Sequence, residues 1–206
     1  MNEMIWDFWA SRYHRLWVQK HSLRPTRHTV LDIIRELEPI QGTRILDLGC
    51  GVGELMEELE KNHGGISLTG IDSSGEMLRI SKSRNPNAKH IQLAAEELSS
   101  LKDSFDIIVC THSFPYYAEK HKVIMELYRL LAPGGSLVIA FASVNSLYDK
   151  LVMSMVKLTT GSAEYPSHDS FLELINPCFD LESHQIIRER PYMPTISVYQ
   201  LRRKEL

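Results

Sequence analysis

The run Ile45-Leu46-Asp47-Leu48-Gly49-Cys50-Gly51-Val52-Gly53-Glu54-Leu55 decides the fold. Ile45 to Leu48 suit a buried strand, apart from the acid inside it. Glycines at the alternate positions 49, 51 and 53 then clear side chains from a tight turn. A helical pattern starts at once, with Leu55, Met56 and Leu59 on one face and Glu57, Glu58, Glu60 and Lys61 on the other. A strand, a bare glycine turn and a helix N-terminus make a nucleotide-type pocket, in which a ligand lies against the main chain.

The spacing narrows the ligand. A dinucleotide fingerprint reads G-x-G-x-x-G, with its third glycine packing helix on strand beside a pyrophosphate. Here that position is Glu54, and the third glycine comes one residue early. A carboxylate at the helix entrance repels a pyrophosphate and suits a ligand with positive charge and no phosphates.

The D-x-G-x-G-x-G pattern from Asp47 to Gly53 resembles the first motif of the class I S-adenosylmethionine (SAM) methyltransferases. Later segments keep the family's order. Ile66 to Asp72 is a second apolar strand ending in an acid, where Rossmann-like folds place a carboxylate on ribose hydroxyls. Ser73-Ser-Gly-Glu-Met-Leu78 resembles the family's D-x-S-x-x-M-L. His90 to Leu98 resembles its third strand and adenine loop, and Phe105 to Cys110 its fourth strand. Leu127 to Gly135 reads as a helix end and turn before a fifth strand, Ser136 to Ala142. The resemblance covers roughly residues 40 to 142. It implies an α/β, Rossmann-like seven-stranded sheet of order 3-2-1-4-5-7-6, its last strand antiparallel, with helices on both faces. The implied cofactor is SAM, and the implied group is the small-molecule methyltransferases that include quinone-biosynthesis enzymes.

The resemblance also assigns residues. Asp47 orients the glycine loop near the methionine end of SAM; a loop-capping acid is the alternative. Gly49, Cys50 and Gly51 approach the cofactor, while Gly53 serves helix packing. Asp72 accepts ribose hydroxyls or caps the next helix, with Ser73 beside it. Met77 packs on adenine or in the core. The adenine loop departs from the family: Ala94 stands where many relatives carry an Asp. That leaves the Ala95 backbone N–H, and Glu96, Glu97 or a water, for the adenine ring. Cys110 offers a backbone carbonyl to SAM's ammonium; no base spaced beside it argues for a nucleophile. The turn Thr111 to Tyr117 follows the fourth strand, and open α/β sheets bind ligands at such strand ends. His112 is the first candidate for a general base, with a role as plain loop lining equally open. Tyr116, Tyr117 and Tyr148 are candidates for holding the acceptor. The N/D-P-P-Y motif of amide, base or amine methylation is absent.

Composition bounds the rest. At 206 residues the chain fits one domain with a full core. Residues 1–40 would form an N-terminal helical lid, and 143–177 a helical insertion over the active site. Charged residues are 24% and net charge is −3, which argues against a nucleic-acid partner held by bulk charge. Cys50, Cys110 and Cys178 are scattered and odd in number, so neither a metal site nor a disulfide framework is expected. No signal peptide and no membrane-length segment is read, and a cytoplasmic monomer or homodimer with a small-molecule acceptor is expected.

Residues 3 to 20 read as a helix with Ile5, Phe8, Trp9, Tyr13, Leu16 and Trp17 near one face. Arg12, Arg15, Lys20, Arg24 and Arg27, with His14, His21 and His28, fall in a stretch free of acids. Four readings stay open for it: a lid whose Tyr13 touches SAM, an attractor for an acidic substrate, a peripheral membrane face, or a solvated basic face. A second helix is expected over about Thr26 to Glu38, an apolar methionine-rich one over 145–160, and a short one over Ser167 to Ile175. Two strands, Phe179 to Arg188 and Ile196 to Arg202, end the chain. Rival functions are a non-catalytic SAM-binding sensor or assembly protein, a protein or nucleic-acid methyltransferase, and a nicotinamide oxidoreductase.

Overall fold

The computed structural model describes residues 22–160, 163–188 and 193–205. The expected helix over residues 3 to 20, Tyr13 and most of the basic stretch lie outside the described residues.

Helix α1 (Arg24–Glu36) starts with Pro25 in its first turn, where the missing N–H costs nothing. It begins two residues before the expected Thr26, and buries Val30, Ile33 and Ile34. The chain then alternates: β1 (Arg44–Leu48), α2 (Glu54–Asn62), β2 (Ser67–Asp72), α3 (Gly75–Arg84), β3 (Lys89–Gln92). A 3₁₀ turn (Ala95–Ser100) leads to β4 (Phe105–Thr111), a second 3₁₀ turn (Phe114–Tyr116), α4 (Lys120–Leu130) and β5 (Leu131–Ala142). Helices α5 (Leu147–Thr160) and α6 (His168–Ile175) precede β6 (Phe179–Ile187) and β7 (Ile196–Arg203).

The seven strands pair in the order β3-β2-β1-β4-β5-β7-β6. The pairs among β1 to β5 are parallel, while β7 runs antiparallel to both neighbours. Both order and antiparallel last strand agree with the family pattern. Strand order reverses between β1 and β4, which opens a crevice at their carboxyl ends.

Pleating sorts the core to two faces. Leu46, Leu48, Ile108, Cys110, Leu137, Ile139 and Phe141 pack under α4 and α6. Ile45, Ile107, Val109, Val138 and Ala140 pack under α1 and α2. Asp47 follows Ile45 in alternation and so points to the second face.

The first face holds an aromatic knot. Phe141 meets Phe171 at 5.0 Å, Phe114 at 5.5 Å and Tyr199 at 5.7 Å between ring centroids. These rings come from β5, α6, the turn after β4, and β7, so the knot joins the family-like core to the C-terminal elements. Among the described residues no helix is long and apolar enough to cross a membrane. Phe141→Ala should cost about 3–5 kcal/mol of stability, since the ring is fully buried among rings that cannot all collapse inward. Urea unfolding measures it, and a loss below about 1 kcal/mol would show that the knot does not hold the two parts together.

Candidate functional site

Three features converge at the carboxyl ends of β1, β2 and β4: the glycine loop, two acids, and the turn carrying His112. In the loop, Gly49, Gly51 and Gly53 all have left-handed φ, at 77°, 53° and 76°. Their missing side chains serve different ends. A Cβ on Gly49 would meet Ser113 at 2.5 Å, and one on Gly53 would meet Ser81 Oγ at 2.3 Å and Asn85 Nδ2 at 2.4 Å. Those two glycines make room for neighbours. No heavy atom of a described residue lies within 4 Å of the same position on Gly51, so the open face of the loop is at Gly51.

The loop amides are already committed. Gly49 and Cys50 N–H both donate to Ile71 O, at 2.7 and 3.0 Å, and Gly53 N–H donates to Cys50 O at 3.0 Å. Gly51 N–H donates to Asp72 Oδ2 at 2.9 Å. A pyrophosphate cradle needs such amides aimed outward. This loop aims four of them inward. The Cys50 thiol is buried and its pKa is raised well above the usual range by burial, then by Asp47, which leaves it inert.

Glu54 needs a correction. As expected it stands at the start of α2, but Arg27 reaches it at 2.6 Å and Arg84 at 3.9 Å. Its charge is offset locally, so it does little to repel a phosphate. Discrimination against dinucleotides rests on the inward amides.

Asp72 Oδ1 accepts from Ser74 N–H at 2.9 Å. The cap of α3 is Ser74, whose hydroxyl accepts from Met77 N–H at 3.1 Å, so the capping alternative for Asp72 falls to Ser74. A carboxylate accepts several hydrogen bonds, and that chemistry suits Asp72 to hydroxyls. Ser73 is buried beside it, and Met77 packs with Val52 and Ile80.

Asp47 is 1% exposed, and among the described residues its Oδ1 meets no hydrogen-bond donor. Burial first, and then Asp72, push its pKa up to about 7. A buried acid beside another acid is unfavourable alone and favourable with a cation.

His112 adopts φ of 62°, a left-handed conformation that costs a β-carbon residue about 1–2 kcal/mol. Its N–H donates to Ala140 O at 2.7 Å, which fixes the turn at the end of β5. Its Nε2 is buried without a hydrogen-bond partner among the described residues. Burial, followed by Arg27, pulls its pKa down to about 4. A strained residue with an unpartnered ring nitrogen beside a ligand crevice has the form of a functional group. Its low pKa makes it a neutral acceptor and a weak base.

Sequence reasoning missed Ser113. Its hydroxyl donates to Leu48 O at 3.1 Å, accepts from Tyr117 OH at 2.8 Å and lies 3.2 Å from Cys110 Sγ. It thereby bolts the turn after β4 to the glycine loop. A small polar residue two positions past the end of β4 was the available signal. Cys110 is buried in this cluster with its pKa raised to about 11, mainly by burial, so its thiol is not a nucleophile. Tyr117 is likewise buried, edge-on to Phe114, and forms part of the core.

Tyr116 remains half-buried, its hydroxyl 3.3 Å from that of Tyr165. Tyr148 is 40% exposed on the first turn of α5. In the adenine loop Ala95 is buried and opens a 3₁₀ turn, where the first backbone N–H groups lack partners within the turn. Glu96 Oε1 accepts from Ala118 N–H at 2.8 Å, and Glu97 Oε2 from Ala94 N–H at 3.3 Å. Both acids therefore already brace the loop. No group of three or more metal-ligating side chains occurs among the described residues.

These residues fit SAM: an unpartnered buried acid for positive charge, an open face at Gly51, an acid with acceptor capacity for hydroxyls, and no phosphate cradle. The chain is similar to SAM-dependent methyltransferases. Residues 46–139 match the family model described as a methyltransferase domain. The chain is 27% identical over 186 residues to a ubiquinone biosynthesis O-methyltransferase of Albidiferax ferrireducens, covering 82% of this chain and 72% of that protein. Its fold matches a methyltransferase of Haloferax volcanii solved with the activator Trm112, with TM-score 0.80 at 17% identity over 97% of this chain and 98% of that one. It also matches the N-methyltransferase NodS of Bradyrhizobium japonicum, solved with S-adenosylhomocysteine, with TM-score 0.73 at 17% identity over 92% of each chain.

Linkage fixes the sign of two pH effects. The folded chain holds a proton on Asp47 up to about pH 7, whereas the ordinary value is 3.8. Its contribution to stability is therefore present below pH 3.8 and lost as pH rises through 7. His112 runs the other way: its contribution is present above its ordinary 6.5 and lost as pH falls through about 4. Asp47→Asn removes the first loss. It should raise the stability of the ligand-free protein at pH 8 by about 2–4 kcal/mol, with the gain shrinking towards pH 4. Thermal unfolding at the two pH values reads it; a melting temperature at pH 8 at or below that of the unmodified chain would show that the charge is compensated elsewhere.

Proposed function

We propose that the chain transfers the methyl group of SAM to a small-molecule acceptor carrying an exchangeable proton. When bound, SAM supplies an electrophilic methyl group for in-line displacement, with S-adenosylhomocysteine as by-product. The observation that carries this reading is the unpartnered, buried Asp47 Oδ1 under a loop whose amides point inward. Such a site prefers positive charge and offers nothing to phosphates.

The chain's own residues would divide the labour. Asp47 balances the cofactor's positive charge. Gly51 leaves space for the ligand, and Asp72 takes ribose hydroxyls while it holds the Gly51 amide. Ala95 offers its backbone N–H to adenine. His112 faces the acceptor with a neutral imidazole and takes a hydrogen bond from the acceptor's proton-bearing atom. With so low a pKa it orients that atom more than it deprotonates it. Most of the rate enhancement then comes from proximity and orientation. Tyr116, half-buried beside Tyr165, lines the acceptor side. The likeness to a ubiquinone biosynthesis O-methyltransferase supports a small organic acceptor.

Calorimetry with SAM, S-adenosylhomocysteine and NADH tests the cofactor side. Binding of both sulfur ligands and not of NADH is expected, and NADH binding alone would overturn the reading. Asp72→Ala should weaken SAM at least about tenfold, because it removes the ribose acceptor and loosens the Gly51 amide. Unchanged affinity in a folded Asp72→Ala protein would remove the ribose role.

A further inference from the structure

The charges around Asp47 do not balance without a ligand. Asp47 sits on β1, and the titratable groups around it come from every neighbouring element. Asp72 of β2 is an acid. Cys50 of the loop and Cys110 of β4 are neutral thiols, both with pKa values raised by burial. Tyr117 and His112 of the following turn are also neutral at pH 7, the one raised and the other lowered by burial. Arg27 of α1 is the cation that acts on His112, and it lies 2.6 Å from Glu54 and 3.2 Å from Glu58. Among the described residues, no cation is paired with Asp47, and its Oδ1 has no donor at all.

A fully buried carboxyl with only a like charge for company keeps its proton until an opposite charge arrives. SAM carries a sulfonium and an ammonium. We infer that Asp47 is the charge-selecting residue of the cofactor site, protonated in the free protein and made to release that proton to solvent when the cationic cofactor enters. The inference rests on the reading of this loop as the SAM site, and extends it to a proton inventory. The step breaks only the O–H bond of the carboxyl; the proton leaves to buffer, and the cofactor's positive charge replaces it. The site thereby selects against neutral adenosine compounds. They cannot compensate an ionised Asp47 and must bind over its protonated form, without the electrostatic gain.

Proton-linked calorimetry tests this with the full chain. SAM is titrated at pH 6 and pH 7 in phosphate and in imidazole, buffers whose ionisation heats differ. This range keeps the ligand's own ammonium protonated. With Asp47 titrating at about 7, nearly one proton per SAM should be released at pH 6 and about half of one at pH 7. SAM should bind about fivefold tighter at pH 7 than at pH 6. Asp47→Asn should show buffer-independent heat and no change of affinity between the two pH values.

Buffer-independent heat in the unmodified chain would overturn the inference, and so would the same proton count in Asp47→Asn. If that variant does not fold, the unmodified chain's proton count and pH dependence decide alone. Absence of SAM binding would overturn the cofactor reading itself, and this inference with it.

Discussion

The site depends on one carboxylate. Asp72 holds Gly51 N–H with one oxygen and Ser74 N–H with the other, both at 2.9 Å. Those two amides belong to different crossovers, the loop after β1 and the loop after β2. One side chain thus fixes their relative position. Hydrogen bonds to a charged acceptor contribute about 1.5–3 kcal/mol each, enough to hold a turn of three left-handed glycines that would otherwise sample many shapes. Ile71 O adds two more anchors from the same strand end, taking the amides of Gly49 and Cys50. The glycine loop is therefore held to the end of β2, and its shape is set before any ligand arrives.

That rigidity has a chemical consequence. A glycine loop at a helix N-terminus is the standard anion receptor because its amides are free. Here backbone freedom serves another purpose. Left-handed φ turns the amides inward, the absent Cβ of Gly49 admits Ser113, and that of Gly53 admits Asn85, whose Nδ2 donates to Gly53 O at 3.0 Å. What faces outward is a bare surface over one buried acid, Asp47, and one half-buried acid, Asp72. The same glycines give opposite charge preference according to where their N–H groups go.

Much of this was legible in the chain. The strand–glycine–helix run and the acid-terminated second strand fixed the α/β class, and the order of the five motifs implied the sheet order and the antiparallel last strand. The strand and helix signals are local, so one sequence carries them, whereas the sheet order rests on the family resemblance. The charge argument from Glu54 misled, because its partners Arg27 and Arg84 lie 27 and 30 positions away and reach it only through α1 and α3 packing. Ser113 escaped for the same reason: its meaning is set by Leu48, Cys110 and Tyr117 together. Tyr117 read as a pocket aromatic, since residue type reports neither direction nor burial, and it proved to be core. The strain at His112 was equally invisible, because nothing in a histidine announces a left-handed turn.

Asp47 and His112 belong together in this respect. Each places an ionisable group where its charged form is disfavoured, and each has a side-chain atom without a partner. An isolated orphan of this kind is a defect in a core. Two of them at the ends of neighbouring strands, one on β1 and the other on the strained turn after β4, follow a different logic. Natural proteins accept local instability where it prepares a site. The cost falls on rigid neighbours that can carry it: β1 is flanked by paired strands on both sides, and His112 N–H is fixed to β5. An acid without its cation and an imidazole without its proton are complementary to two different reactants. The fold that keeps both unsatisfied also keeps them from satisfying each other, since Asp47 shares the α1 and α2 face of the sheet with Ile45, while His112 lies beyond the end of β4.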